Sequence, residues 1–220
     1  DPRLDSLVKM FQPERTTPAE VQYIDIPSST ENKASDRGVN SKTLNTLQQS
    51  DAILFVIRAF NSPSVHHPEG TVDPYRDLTS LQFEMAFSDL AILERREERL
   101  EKDIKAAKAG DRDKIERERS LITKIKNDLM SDIPIREQNL SPDQHRLIRD
   151  YQFLTEKPLL VLFNVDEDQL ITIDTLQKNM ATHIDRIGVI STAICGKLEM
   201  ELGQMNIEDE ILFRDSMDAG

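Results

Sequence analysis

The chain has 220 residues, 38% of them hydrophobic and 31% charged, with 40 acidic side chains against 28 basic ones and a formal net charge of −12. That length can bury the core of one large domain or of one and a half ordinary ones, while the acidic excess argues against a general nucleic-acid binder and against direct DNA binding, which needs a basic face. No apolar run nears the roughly 20 residues that span a bilayer, the lone Cys195 has no partner within the chain, and nothing resembles a signal peptide, so a reducing cytoplasm without membrane contact is expected.

The spacing of Leu4, Leu7, Val8 and Phe11 predicts a short helix that Pro13 ends. Val21 to Ile26 (VQYIDI) reads as a strand with Asp25 near its carboxyl end, followed by a polar, breaker-containing loop over 27–40. A helix over Ser41–Gln49 and a buried strand over 51–60 come next, then a loop over 61–70 with two prolines and the pair His66 and His67. Adjacent histidines point apart and rarely share a metal, so this pair reads as loop structure.

From Val72 to about Met130 the pattern is helical. Phe83, Phe87, Leu90, Leu100, Ile104 and Ala107 trace a stripe that Glu97 interrupts, Gly110 and Asp111 mark a turn, and Ile115, Ile122, Ile125 and Leu129 resume it. This predicts an antiparallel helical hairpin of coiled-coil type over 71–135, whose carboxylates, Glu84 and Asp89 among them, pair with Lys and Arg on a solvated face. Ser141-Pro142-Asp143 opens a further helix through Leu154, the serine capping it and the proline in its first turn.

Lys157 to Asp168 (KPLLVLFNVDED) is the most informative stretch. Leu159 to Phe163 is a short unbroken apolar run, the signature of a strand buried on both faces. Its carboxyl end carries Asn164, Asp166, Glu167 and Asp168. A helix over 173–185, a third strand over 186–192 and helices over 196–202 and 207–217 complete the chain, with Cys195 read as a packed small residue. Strands alternating with helices imply an α/β fold with a doubly wound, mainly parallel sheet, which binds ligands outside its strands' carboxyl ends. The sheet domain is then built from residues 1–70 and 136–220, with the hairpin inserted between them.

The segments DPRLDSLVKMFQPERTTPAEVQYIDI, SDAILFVIRAF, HPEGTVDPYRDL, the hairpin and KPLLVLFNVDED stand in the order and spacing of the YchF/Obg-like ATPases, a branch of the translation-factor-related P-loop GTPases. The resemblance runs from Asp1 to about Met217. It implies a P-loop GTPase-like G domain interrupted by a helical hairpin, whose first strand and P-loop lie upstream of the DPRL segment and whose small TGS domain lies downstream, both outside this sequence. It also implies ATP favoured over GTP, Mg2+ carried with the nucleotide, and a ribosomal partner. By position, Asn164, Val165, Asp166 and Glu167 take the place of the base-reading Asn-Lys-x-Asp motif. Ser191, Thr192 and Ala193 take that of the loop whose backbone closes the base pocket. Asp25, Pro27 and Ser28 fall on the second switch, with Asp25 indirectly on the metal side, and His67 falls on the family's His-x-Glu-Gly.

The physics of base choice follows from these residues. In the ordinary motif the final aspartate accepts from guanine's ring N–H and amino group. Glu167 is one methylene longer and loses that fit, whereas the Asn164 amide serves the Hoogsteen edge of either purine, and Val165 is expected to touch base or sugar. The 220 residues contain no GxxxxGK[ST]; the string from Gly188 to Lys197, with Leu198 after it, has the wrong spacing. Pro27 and Ser28 also replace the alanine and glycine of the second switch. The sequence therefore reads as a purine-nucleotide (ATP or GTP) binding domain that does not hydrolyse nucleotide by itself, the alternative being a degenerate, non-catalytic module that binds the ribosome or another protein.

Overall fold

Three short apolar runs make the sheet. The computed structural model describes residues 2–26, 41–173, 175, 178, 184 and 186–217. In it, β1 (Ile53–Arg58), β2 (Leu159–Asn164) and β3 (Val189–Ile194) pair in that order, all parallel, with Ile53, Leu159 and Val189 side by side. The helices in chain order are α1 (Pro2–Phe11), α2 (Ser41–Gln49), α3 (Pro74–Ala106), α4 (Ala109–Met130), α5 (Pro142–Ile148), α6 (Gly196–Leu202) and α7 (Ile207–Met217). The helix expected over 173–185 lies mostly outside the described residues; 173, 175, 178 and 184 are helical.

Successive strand residues face opposite sides of a sheet, and here the two sides differ. Ile53, Ile57, Leu159, Val161, Phe163 and Ala193 are buried against α3 (Leu78, Met85) and α6 (Leu198, Leu202). Leu54, Val56, Leu160 and Ile190 on the other side are exposed, Val56 at 60% and Ile190 at 70%. The parallel sheet is as expected, but among the described residues only one of its faces carries a packed helical layer.

Val21–Ile26 is not a strand. Its backbone pairs with none of the three strands, and Tyr23 is 82% exposed. An alternating pattern supplies propensity, but a strand also needs a neighbour for its N–H and C=O groups, and this segment has none among the described residues. Asp25 consequently sits on exposed, irregular chain and not at a strand end.

α3 and α4 form an antiparallel pair. Asp73 caps α3 by accepting from the Arg76 N–H, and Pro74 occupies its first turn. The connection is Ala107–Lys108, two residues before the predicted turn, and Gly110 and Asp111 lie inside the first turn of α4. An aspartate there faces the exposed amides of the helix start, which is why a Gly-Asp pair opens this helix and does not break one. Arg96 binds Glu118, Arg119 binds Glu101, and Glu97 accepts from Thr123 Oγ1 at 2.6 Å and from the Lys126 ammonium. The Lys126 and Thr123 contacts hold the Glu97 carboxyl below its ordinary pKa. The buried stripe of α3 is Leu78, Met85, Asp89, Leu93 and Leu100. Phe83 and Phe87 are not in it; both are exposed, with ring centroids 6.4 Å apart.

Asp89 departs most from expectation. It is fully buried and, among the described residues, pairs with no cation; its carboxylate accepts from Leu154 N (2.9 Å), Thr155 N (2.7 Å) and Thr155 Oγ1 (2.7 Å). Arg136, leaving the pair, donates to Thr155 O at 3.1 Å. The same short turn, Leu154–Glu156, thus receives a carboxylate from the middle of α3 and an arginine from the segment after α4, and leads straight into β2. Burial pushes the Asp89 carboxyl from 3.8 up to about 6, against the pull of those hydrogen bonds. Ser141 caps α5 reciprocally with Gln144 as the sequence predicts. That helix stops at Ile148 and not at Leu154, where the chain turns through 3-10 geometry and a left-handed Gln152 (φ 52).

Candidate functional site

Parallel pairing brings the carboxyl ends of β1, β2 and β3 to one rim, with Arg58, Asn164 and Ile194 in register. Asn164 ends β2 with its backbone still tied to β1, through Ala59 N at 2.8 Å. Its side chain turns to the start of α6, where Oδ1 accepts from Gly196 N at 2.9 Å. With Oδ1 so occupied, Nδ2 is the amide's donor toward solvent. A Cβ on Gly196 would stand 3.0 Å from that Oδ1, so the glycine permits the close approach.

The residues after Asn164 divide sharply. Val165 is 2% exposed, hydrogen-bonded through its N–H to Ile194 O, and part of the sheet core. It continues the period-two series Leu159, Val161, Phe163, so its side chain faces inward and offers nothing to a base or sugar, contrary to the sequence expectation. Asp166 opens a 3-10 turn over Glu167–Thr172: its Oδ1 accepts from Glu167 N and its N–H donates to Gln169 Oε1. Glu167 reaches across the rim, and Oε1 accepts from Lys197 Nζ at 2.7 Å. That contact raises the Lys197 ammonium above its ordinary pKa.

Ser191, Thr192 and Ala193 lie inside β3, which runs two residues further than the sequence predicts. Their backbone lies in register with Val161, Leu162 and Phe163 of β2, and Ala193 is buried. β3 leads through Cys195 straight into α6, whose first residues, Gly196 and Lys197, are not among the sequence-predicted site residues. Cys195 is buried as expected. Pro27 and Ser28 lie outside the described residues.

The loop after β1 is tightly organised. Arg58 donates to the carbonyls of Phe60 and Val65 at 3.0 Å each and of Ser62 at 3.4 Å, and its guanidinium lies 4.8 Å above the Phe60 ring. His67 Nδ1 accepts from Glu69 N, so Nε2 carries the proton it donates to Asp77 at 3.0 Å. Arg76 binds the same Asp77 carboxylate. His67 therefore serves the loop's structure, as the sequence predicts. Among the described residues no group of three His, Cys, Asp or Glu side chains is placed to hold a metal ion, and no helix is long and apolar enough to cross a membrane.

An open, parallel α/β sheet with an amide and an ion pair on its carboxyl rim defines a protein of the class that binds ligands at strand ends. No protein-family profile matches the chain. It is 32% identical over 213 residues to the ribosome-binding ATPase YchF of Haemophilus ducreyi, covering 97% of this chain and 57% of that protein. It is 28% identical to the YchF of Bacillus subtilis (99% and 59%) and 30% identical to the Obg-like ATPase homolog of Saccharomyces cerevisiae (76% and 42%). The structure of the Schizosaccharomyces pombe YchF GTPase superposes with a TM-score of 0.79 at 25% identity, covering 99% of this chain and 59% of that one. Over nearly its whole length the chain is thus similar to YchF and Obg-like ATPases, and it spans less than two thirds of the length of these relatives.

Proposed function

We propose that this chain is a purine-nucleotide-binding domain in which the base sits on the sheet rim beside Asn164, with the helical pair as an insertion in that domain. The observation that carries the reading is the fixed orientation of the Asn164 amide, whose Oδ1 is held by Gly196 and whose Nδ2 is free to donate to N7, a group common to adenine and guanine. Glu167 and Lys197 then flank the base's Watson–Crick edge. Asp166 acts by shaping the turn that presents Glu167. The nucleotide, ATP or GTP, is the substrate class that the names of the relatives, ribosome-binding ATPase and GTPase, give, and a cytoplasmic setting with a ribosomal partner goes with it.

Hydrolysis in P-loop enzymes is positioning and charge neutralisation by phosphate-loop amides, a lysine and magnesium. These 220 residues contain no such loop, and their described carboxylates form no metal-holding set, so we derive no step through Mg2+ and expect no turnover from this chain alone. Titration with fluorescent ATP and GTP tests the seat: saturable binding, lost in Asn164→Ala, is expected, and binding that Asn164→Ala leaves intact contradicts it. A second reading, a non-catalytic interaction module, draws on the exposed sheet face of Leu54, Val56, Leu160 and Ile190. Binding of a protein or ribosomal partner by a chain that binds no nucleotide would favour it.

A further inference from the structure

We propose that Lys197 decides which purine the rim accepts, by turning the carboxylate of Glu167 from an acceptor-only group into a mixed donor and acceptor. The inference rests on the purine seat argued above. In the seat proposed above, with Asn164 Nδ2 on N7, we take N1 to face Glu167 and position 6 to face the start of α6. A bare carboxylate at N1 accepts only. It suits guanine, whose N1–H and amino group are both donors and take both carboxylate oxygens. It opposes adenine, whose N1 is an acceptor.

In this protein the carboxylate is not bare. Lys197 Nζ sits 2.7 Å from Glu167 Oε1, which uses one ammonium hydrogen and leaves two. The pair therefore presents an N–H donor where adenine N1 needs one, and keeps one of the two oxygens that guanine would engage. The Gly196 N–H bond to Asn164 and the Asp166 cap on the Glu167 N–H hold the two backbone segments from which Lys197 and Glu167 project. Nothing else among the described contacts claims the Lys197 ammonium, and both side chains remain about half exposed, within reach of a ligand.

The test uses the whole chain, isotopically labelled, titrated with AMP and GMP to millimolar concentration and followed by NMR, which reads weak affinities. The unsubstituted protein is expected to favour AMP. Lys197→Ala should shift the AMP-to-GMP affinity ratio about tenfold toward GMP, the usual cost of facing acceptor with acceptor. Lys197→Arg, which keeps a donor, should hold the ratio within about threefold. Asn164→Ala should weaken both nucleotides alike. An unchanged ratio in Lys197→Ala, with both nucleotides still bound and both lost in Asn164→Ala, overturns the role of Lys197 and leaves the purine seat standing. Failure of the unsubstituted chain to bind either nucleotide overturns the seat, and this inference with it.

Discussion

The helical pair and the sheet solve the same problem, burying a run of apolar side chains, with different completeness. At the root of the pair, Leu93, Leu100, Ile122 and Ile125 meet Ile135, Ile148 and Phe153 and are closed in on every side. The carboxylates there are all engaged, Glu97 by Thr123 and Lys126 and Asp89 by backbone and hydroxyl donors. The sheet buries one face and leaves Leu54, Val56, Leu160 and Ile190 in view. The pair and its root are thus a self-sufficient packing unit, while the sheet concentrates its exposed apolar surface and its free polar groups, the places where ligands and partners act.

The largest effect should come from the joint between the two. Asp89→Ala leaves three buried donors on Leu154 and Thr155 without an acceptor, and should cost about 3–5 kcal/mol in urea unfolding. A loss below about 1 kcal/mol would show that the joint is not a fixed point. Next, Leu93→Ala, at a fully buried site, should cost about 2–5 kcal/mol. Val56→Ala on the open face should cost about 0.5 kcal/mol or less and reduce binding of a hydrophobic dye. Equal costs for the two would erase the comparison.

The pH response sharpens it further, because the two carboxylates of the helical pair carry opposite signs. Folding raises Asp89 from 3.8 to about 6, so the native state holds a proton that the unfolded state has lost between those values. Its contribution to stability is complete below about pH 4 and fades as pH climbs through about 6. Arg136 and Lys157 oppose that protonation through their charges and Glu156 assists it. Glu97 is lowered, so what it contributes is present above its ordinary value and is lost as pH falls through the lowered one. Asp89→Asn should flatten the stability change between pH 4.5 and 7 by on the order of 2 kcal/mol, measured by denaturant unfolding across that range; an unaltered slope would mean Asp89 is ionised throughout.

How much of this was legible depended on where each determinant lies in the chain. Local chemistry was: the Ser141 cap with Pro142 in the first turn, and Leu159 to Phe163 closing at Asn164, are set by neighbours a few residues apart. Val165 was legible in principle, since the alternation Leu159, Val161, Phe163 extends to it, but its motif position spoke for a ligand contact. Asp89 lies four residues from both Met85 and Leu93, a carboxylate on an apolar stripe, yet its partners come 65 and 66 residues later. No local pattern names them. The end of β3 was misplaced because Ser191 and Thr192 look like a strand's polar finish, whereas their pairing with β2 carries the strand on to Ile194. VQYIDI misled in the opposite sense, having the composition of a strand but no neighbour to bond among the described residues.

The seat beside Asn164 is tested most directly by following its side-chain amide signals, and the backbone amide of Gly196, in labelled protein as AMP is added. The account predicts that the Nδ2 protons shift and saturate with the nucleotide while the Val165 amide, buried in the core, moves little. Saturable binding that leaves the Asn164 and Gly196 signals in place would contradict it.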